Sequence, residues 1–141
     1  MDPTNDELLI ADVLFKMSQN SDALLYESDE VKSNKNVVLA AVKVNYYGHV
    51  LMHASELLKN DREVVLASVT NYGYSLMHAS QRLKNDKDIV LAAVSQDGYA
   101  LEHASESLKN DRDVVLAALS HNIHALIFVP DALKNDPEFY Y

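Results

Sequence analysis

The sequence predicts an all-α fold, an α-solenoid of about five short helix-turn-helix repeats. Three observations predict it. The run Asn60-Asp61-Arg62-Glu63-Val64-Val65-Leu66-Ala67-Ser68-Val69 returns from Asn85 and again from Asn110, at a constant spacing of 25 residues. A period in this range marks stacked supersecondary units. Each copy carries a stretch such as Ile89-Val90-Leu91-Ala92-Ala93-Val94, apolar on every side; a surface helix would keep a polar face, so this one belongs between neighbours. The only glycines in the chain, Gly48, Gly73 and Gly98, fall where the first helix of a unit should stop.

The first element opens at Thr4-Asn5-Asp6-Glu7, a capping box in which the Thr hydroxyl and the Glu carboxylate satisfy first-turn amides. Its helix runs to Met17, and Ser18-Gln19-Asn20-Ser21 ends it. Ala23 to Lys32 aligns with Val50 to Lys59, so residues 1–34 form a diverged first unit. The next unit carries two extra residues within Lys43 to Gly48, between its helices, where an insertion can meet water. The whole chain reads as one domain with units at about 1–34, 35–60, 61–85, 86–110 and 111–135, and a partial C-terminal cap at 136–141.

Within a unit, an Asn N-cap is expected to face an acid three residues on: Asn60 with Glu63, Asn85 with Asp88, Asn110 with Asp113, Asn135 with Glu138. Pro137 suits the first turn of the last helix. The glycines are expected to end the first helix in the left-handed conformation; the last unit has Ile123 there, with Asn122 beside it for that role. A second helix follows, as in Tyr99 to Ala104. Pro130 in the last unit suits a helix start and not a helix middle, so this second helix should end near residues 54, 79, 104 and 129. A short separate turn, 3₁₀ in character, then carries Leu58, Leu83, Leu108 and Leu133 inward.

The 141 residues include no cysteine and carry a formal charge of −9. The acidic balance opposes nucleic acid and anionic membranes as partners, and it suits a basic or neutral protein. No disulfide, thiolate metal site or cysteine nucleophile can form. The acidic N-terminus does not read as a secretory signal, and the apolar runs are too short to span a bilayer. The expected compartment is the cytoplasm.

The pattern Asn-Asp-Arg-Asp-Val-Val-Leu-Ala-Ala, then Gly-Tyr-Ala-Leu-Glu-His-Ala-Ser-Glu with Leu-Lys-Asn-Asp downstream, resembles the domain-of-unknown-function 4116 repeats from about Ser33 to the C-terminus. The resemblance implies tandem helical repeats of the kind found in protists, large DNA viruses and some intracellular bacteria. Host-directed effectors are among them, which would place the chain in a host cell cytoplasm. It implies no catalytic residues.

Candidate sites divide into those that repeat and those that do not. His53, His78 and His103 share one repeat position, but helices packed about 8–10 Å apart hold equivalent rings too far from one another to share a metal ion. Tyr26 and Phe128 occupy the same slot, so it reads as a ring-shaped packing position. His121 and His124 could share a surface ion, but no third ligand is evident. The tyrosine-bearing turns are the strongest functional lead, because tyrosine is enriched in binding hot spots. The expected partner-binding residues are Tyr46, Tyr47, His49, Met52, Tyr72, Tyr74, Met77, Tyr99, His121 and His124. No phosphate loop, nucleophile elbow or His-Glu-x-x-His signature is present, so no enzyme, cofactor or metal is expected. The reading is an acidic protein-interaction module, an adaptor or inhibitor. The alternatives are an enzyme or ligand-binding domain with a pocket on the concave face, and a structural or self-associating segment of a longer repeat protein.

Overall fold

A computed structural model describes residues 4–44 and 49–140, with the backbone alone at Tyr140. The fold is all-α, and the described residues contain no strand. Each regular unit has three parts. A ten-residue α-helix comes first: Lys35–Val44, Arg62–Asn71, Lys87–Gln96 and Arg112–His121. In the three later units a 3₁₀ segment follows, at Gly73–His78, Gly98–His103 and Ile123–Phe128. A single α-helical turn closes the unit, at Glu56–Lys59, Gln81–Lys84, Glu106–Lys109 and Asp131–Lys134. Ahead of these stand the helix Asn5–Gln19, the 3₁₀ turn Ala23–Tyr26 and the turn Asp29–Lys32. The expected capping box is present, with Thr4 Oγ1 accepting from the Glu7 amide.

The long helices form the spine. Val64, Val65, Ile89, Val90 and Ala93 are fully buried because their helices lie against a long helix on each side, and Val114, Val115 and Ala118 of the last long helix are fully buried against Lys87–Gln96 and the adjoining 3₁₀ segments. The 3₁₀ segments add Leu76 and Leu101, also fully buried. Removing such a side chain from water contributes roughly 1.5–3 kcal/mol. Leu58, Leu83 and Leu108 point inward as the sequence implies.

Three local expectations change. The N-cap of each of the three later long helices is the aspartate and not the asparagine before it: Asp61, Asp86 and Asp111 accept from the amides of Val64, Ile89 and Val114. Asn60 and Asn85 instead accept the hydroxyl of the serine one unit on, Ser80 and Ser105, at 2.7 Å. The last segment, Pro137–Tyr140, is likewise 3₁₀, with Asp136 accepting from the Glu138 amide. Second, the segment expected as a second α-helix is 3₁₀ in the three later units, and the short turn after it is α-helical. Third, neither Gly73 nor Gly98 is left-handed. The long helices end on extended residues, Tyr72, Asp97 and Asn122, at φ −147, −146 and −151°.

What the glycines provide is room. A β-carbon on Gly98 would lie 2.6 Å from the Ala118 carbonyl oxygen of the next unit, and one on Gly73 would collide with the Ala93 carbonyl. The Gly73 and Gly98 amides donate to the side chains that end the next long helix, Gln96 Oε1 and His121 Nδ1. Ile123, at the same position in the last unit, is 63% exposed. Gly48 lies outside the described residues.

Units are joined along two further lines. Backbone amides of Ser55, Ser80 and Ser105 donate to the carbonyls of Lys32, Lys59 and Lys84, one unit back, at 2.9–3.0 Å. Pro130 has no N–H, so this line stops before the last unit. On the edge formed by the helix starts, Lys35 spans Asp61 and Glu63, Arg62 spans Asp86 and Asp88, and Lys87 spans Asp111 and Asp113, at 2.8–3.1 Å. Burial pushes the three cap carboxyls up, but the N3 amide and the cation of the preceding unit outweigh it and hold them below the usual value. Each exposed pair contributes little alone; together they set the register of one unit on the next.

The histidine column is a packing column in the later units. His78 and His103 are half-buried, and His103 meets the Tyr74 ring edge-on at 4.7 Å. Tyr26 departs from the expectation, standing 77% exposed. Burial lowers the pKa of both His78 and His103, with Lys59 and Lys84 adding to it at His78 and Glu102 partly opposing it at His103. His103 Nε2 is buried and has no hydrogen-bond partner among the described residues.

Replacing Gly98 with Ala should destabilise the fold by about 1–3 kcal/mol through overpacking, measured by urea unfolding, whereas Ile123→Gly should have a far smaller effect. Ser68 and Ser75, both buried, share a hydrogen bond of 2.9 Å where the next two units have alanine at both positions. Ser68→Ala alone strands the Ser75 hydroxyl and should cost about 1–3 kcal/mol, and the double change to Ala should recover most of it. His103→Phe, the residue found at Phe128, should raise the melting temperature. Because the folded-state pKa of His103 lies below 6.5, the unfolded chain binds more protons just below that pH, and stability falls as pH drops through it. The Phe variant should lose part of that slope in melts run between pH 5 and 7.

Candidate interaction surface

The turn edge is built from the 3₁₀ segments. Asp97 Oδ1 accepts from the Tyr99 amide at 3.0 Å, and Asn122 Oδ1 does the same for His124 at 2.9 Å. These caps fix where the aromatic side chain leaves the backbone. Six side chains then enclose one open recess of about 330 Å³: Tyr72, Tyr74, Asp97, Tyr99, Glu102 and Phe128. Tyr72 and Tyr74 flank the start of one 3₁₀ segment, Tyr99 and Glu102 come from the next, and Phe128 closes the one after.

Contacts between units organise the rings. Tyr74 packs on His103, and Tyr99 packs on Phe128 with centroids 6.2 Å apart and planes at 82°. Both are edge-to-face arrangements, the favoured geometry for aromatic pairs. The Tyr74 hydroxyl donates to Glu102 Oε2 at 2.8 Å. That bond, with burial and the nearby charge, raises the Tyr74 phenol above its ordinary value. Tyr99 remains 37% exposed, so its ring is still available to a ligand.

The expected binding residues separate on this surface. Tyr72, Tyr74 and Tyr99 come together. Met52 and Met77 are exposed but do not line the recess. His49 lies elsewhere: its Nδ1 is 2.8 Å from Asp22 Oδ1, and His53 Nε2 is 3.2 Å from the same oxygen. His53, then His49, hold the Asp22 carboxyl below its usual value. His121 is tied to the backbone through Gly98, and the His124 ring is exposed on the same edge. Tyr46 and Tyr47 lie outside the described residues. Asp97, Glu102 and Phe128 were not among the expected binding residues. The signal for them was present, since each stands where the repeat copies disagree.

A second, larger recess of about 720 Å³ lies between the N-terminal helix and the helix Lys35–Val44, lined in part by Asp6, Ile10, Asn36, Leu39 and Lys43. Asp6 and Asn36 are already engaged there: Asp6 accepts from Asn36 and Asn34 at 2.8 and 2.9 Å, and these bonds lower its pKa. Their role is to join the first helix to the repeats. Among the described residues no group of three His, Asp or Glu side chains converges as a metal site would, and no helix is long and apolar enough to cross a membrane.

A sequence profile described as a domain of unknown function, DUF4116, matches residues 44–84, 61–109, 86–134 and 111–141. Searches of curated proteins and of solved structures return no match. The four matches overlap at the 25-residue step of the repeat and together cover more than half of the chain. The chain therefore belongs to the DUF4116 family of helical repeats.

Proposed function

We propose that this chain is a protein-interaction module, an adaptor or an inhibitor without catalytic activity of its own, that docks a protein partner on the edge formed by its inter-helix turns. One observation carries the reading: tyrosines from successive units, Tyr72, Tyr74 and Tyr99, share a single recess. Stacking alone does not call for a tyrosine 37% exposed at Tyr99. Tyrosine offers a large, rigid contact area with few rotatable bonds, which suits an anchor in a binding hot spot. The formal charge of −9 favours a basic or neutral partner and speeds its approach. Binding would act by steric and electrostatic docking, in the cytoplasm of the cell that makes the protein or of a host cell.

The test uses the full chain as bait beside the Tyr74→Ala/Tyr99→Ala variant. The variant should lose recovery of the partner, with affinity for the purified partner down by about tenfold or more in calorimetric titration, equivalent to about 1.4 kcal/mol. Its melting temperature should move by a few degrees only. Equal affinity in the two proteins would remove the turn edge from consideration. A molecular mass that grows with concentration in light scattering, with no partner recovered, would favour the self-associating alternative.

A further inference from the structure

The recess is not equally acidic in every unit. The position of Asp97 holds Tyr72 one unit earlier and Asn122 one unit later; that of Glu102 holds Met77 and Ile127. Two carboxylates thus enter the aromatic recess in one unit alone, so the requirements of stacking do not explain them. Their partners set them apart as well. The first-turn acids Asp61, Glu63, Asp86, Asp88, Asp111 and Asp113 each meet a lysine or arginine of the preceding unit. Among the described residues, Asp97 and Glu102 meet none. Asp97 Oδ1 accepts the Tyr99 amide, and Glu102 Oε2 accepts the Tyr74 hydroxyl with His103 Nε2 at 3.7 Å.

We infer that the recess of Tyr72, Tyr74, Asp97, Tyr99, Glu102 and Phe128 receives an arginine side chain of the partner protein, its guanidinium lying against the aromatic rings and bridging toward the two carboxylates. This rests on the interaction reading above and names the chemistry of the partner at that site. A cation over an aromatic face is attracted by the ring quadrupole, most strongly where water is excluded. Guanidinium suits the site better than ammonium because it is planar, stacks on rings and offers donors along two edges to carboxylates. The recess volume of about 330 Å³ suits one side chain and its flanking backbone, not a large ligand. The overall negative charge adds long-range attraction for a basic segment, screened by salt.

Amide shifts of the isotopically labelled full chain, titrated with the peptide acetyl-Gly-Arg-Gly-Arg-Gly-amide, test the assignment. The control is the same peptide with citrulline for arginine, which keeps the shape and removes the charge. Saturable shifts should centre on residues 72–74, 97–99 and 102, and the citrulline peptide should bind at least about fivefold more weakly. Asp97→Asn/Glu102→Gln preserves the acceptors for the Tyr99 amide and the Tyr74 hydroxyl; it should weaken the arginine peptide about tenfold or more with an unchanged melting temperature. If the double variant does not fold, Glu102→Gln alone should weaken the peptide by a smaller but measurable factor. Shifts that map elsewhere, equal binding of the citrulline peptide, undiminished binding by the charge-neutral variant, or no binding at all would each overturn the assignment. A partner whose binding depends on Tyr74 and Tyr99 but does not change when its arginines are replaced would refute the arginine and leave the interaction reading standing.

Discussion

The long helices of this protein are apolar on every side, and each becomes stable only when neighbouring units cover it. Val64, Val65, Ile89 and Val90 lose all contact with water because the next helix of the stack arrives at the right distance and height. Ten residues is too short for a helix to hold itself together in water. Packing against neighbours therefore supplies what propensity cannot, and stability is a sum over interfaces.

Three small devices set the distance and height. Gly73 and Gly98 let the start of a 3₁₀ segment press against the carbonyl that ends the next long helix. Backbone bonds from Ser55, Ser80 and Ser105 to the preceding Lys32, Lys59 and Lys84 hold the one-turn helices in step. The Lys35, Arg62 and Lys87 bridges do the same at the helix starts, each reaching two acids of the following unit. The conspicuous charge of the Asn-Asp-Arg-Asp motif is thus mostly consumed within the stack. Its aspartate caps an amide and receives a cation at the same time.

The opposite edge is less constrained, and variation concentrates there. In the three later units the residues one and three places after the end of each long helix, and those near the end of each 3₁₀ segment, change from unit to unit while the spine varies little. The ring near the start of one 3₁₀ segment meets the ring at the end of the next, so a change in one copy alters a surface shared by two. Tyr74 meets His103 and Tyr99 meets Phe128 by this rule. A chemically distinct recess can then be placed at one point of an otherwise uniform scaffold at little cost to folding.

The repeat period, the buried spine, the inward leucines and the break before residues 80, 105 and 130 were all legible in the sequence, because each follows from local pattern: a 25-residue step, an apolar run, a proline. The tyrosine edge was legible in outline, since residues at one repeat position share one edge. The cap assignment was not. Asn60 and Asp61 are equally good caps by type, and the choice fell to Asp61 because Asn60 is taken by Ser80 of the next unit while Lys35 of the preceding one holds Asp61. Nor was the work of the glycines legible, since a close approach to a carbonyl 20 residues away leaves no local trace. The meeting of Tyr72, Tyr74, Asp97, Tyr99, Glu102 and Phe128 likewise depended on how three units stack. Sequence by itself determined what each unit is and that units must stack, through periodicity and hydrophobicity. Tertiary structure alone decided which side chains meet between units, because those contacts depend on the offset of one helix against the next.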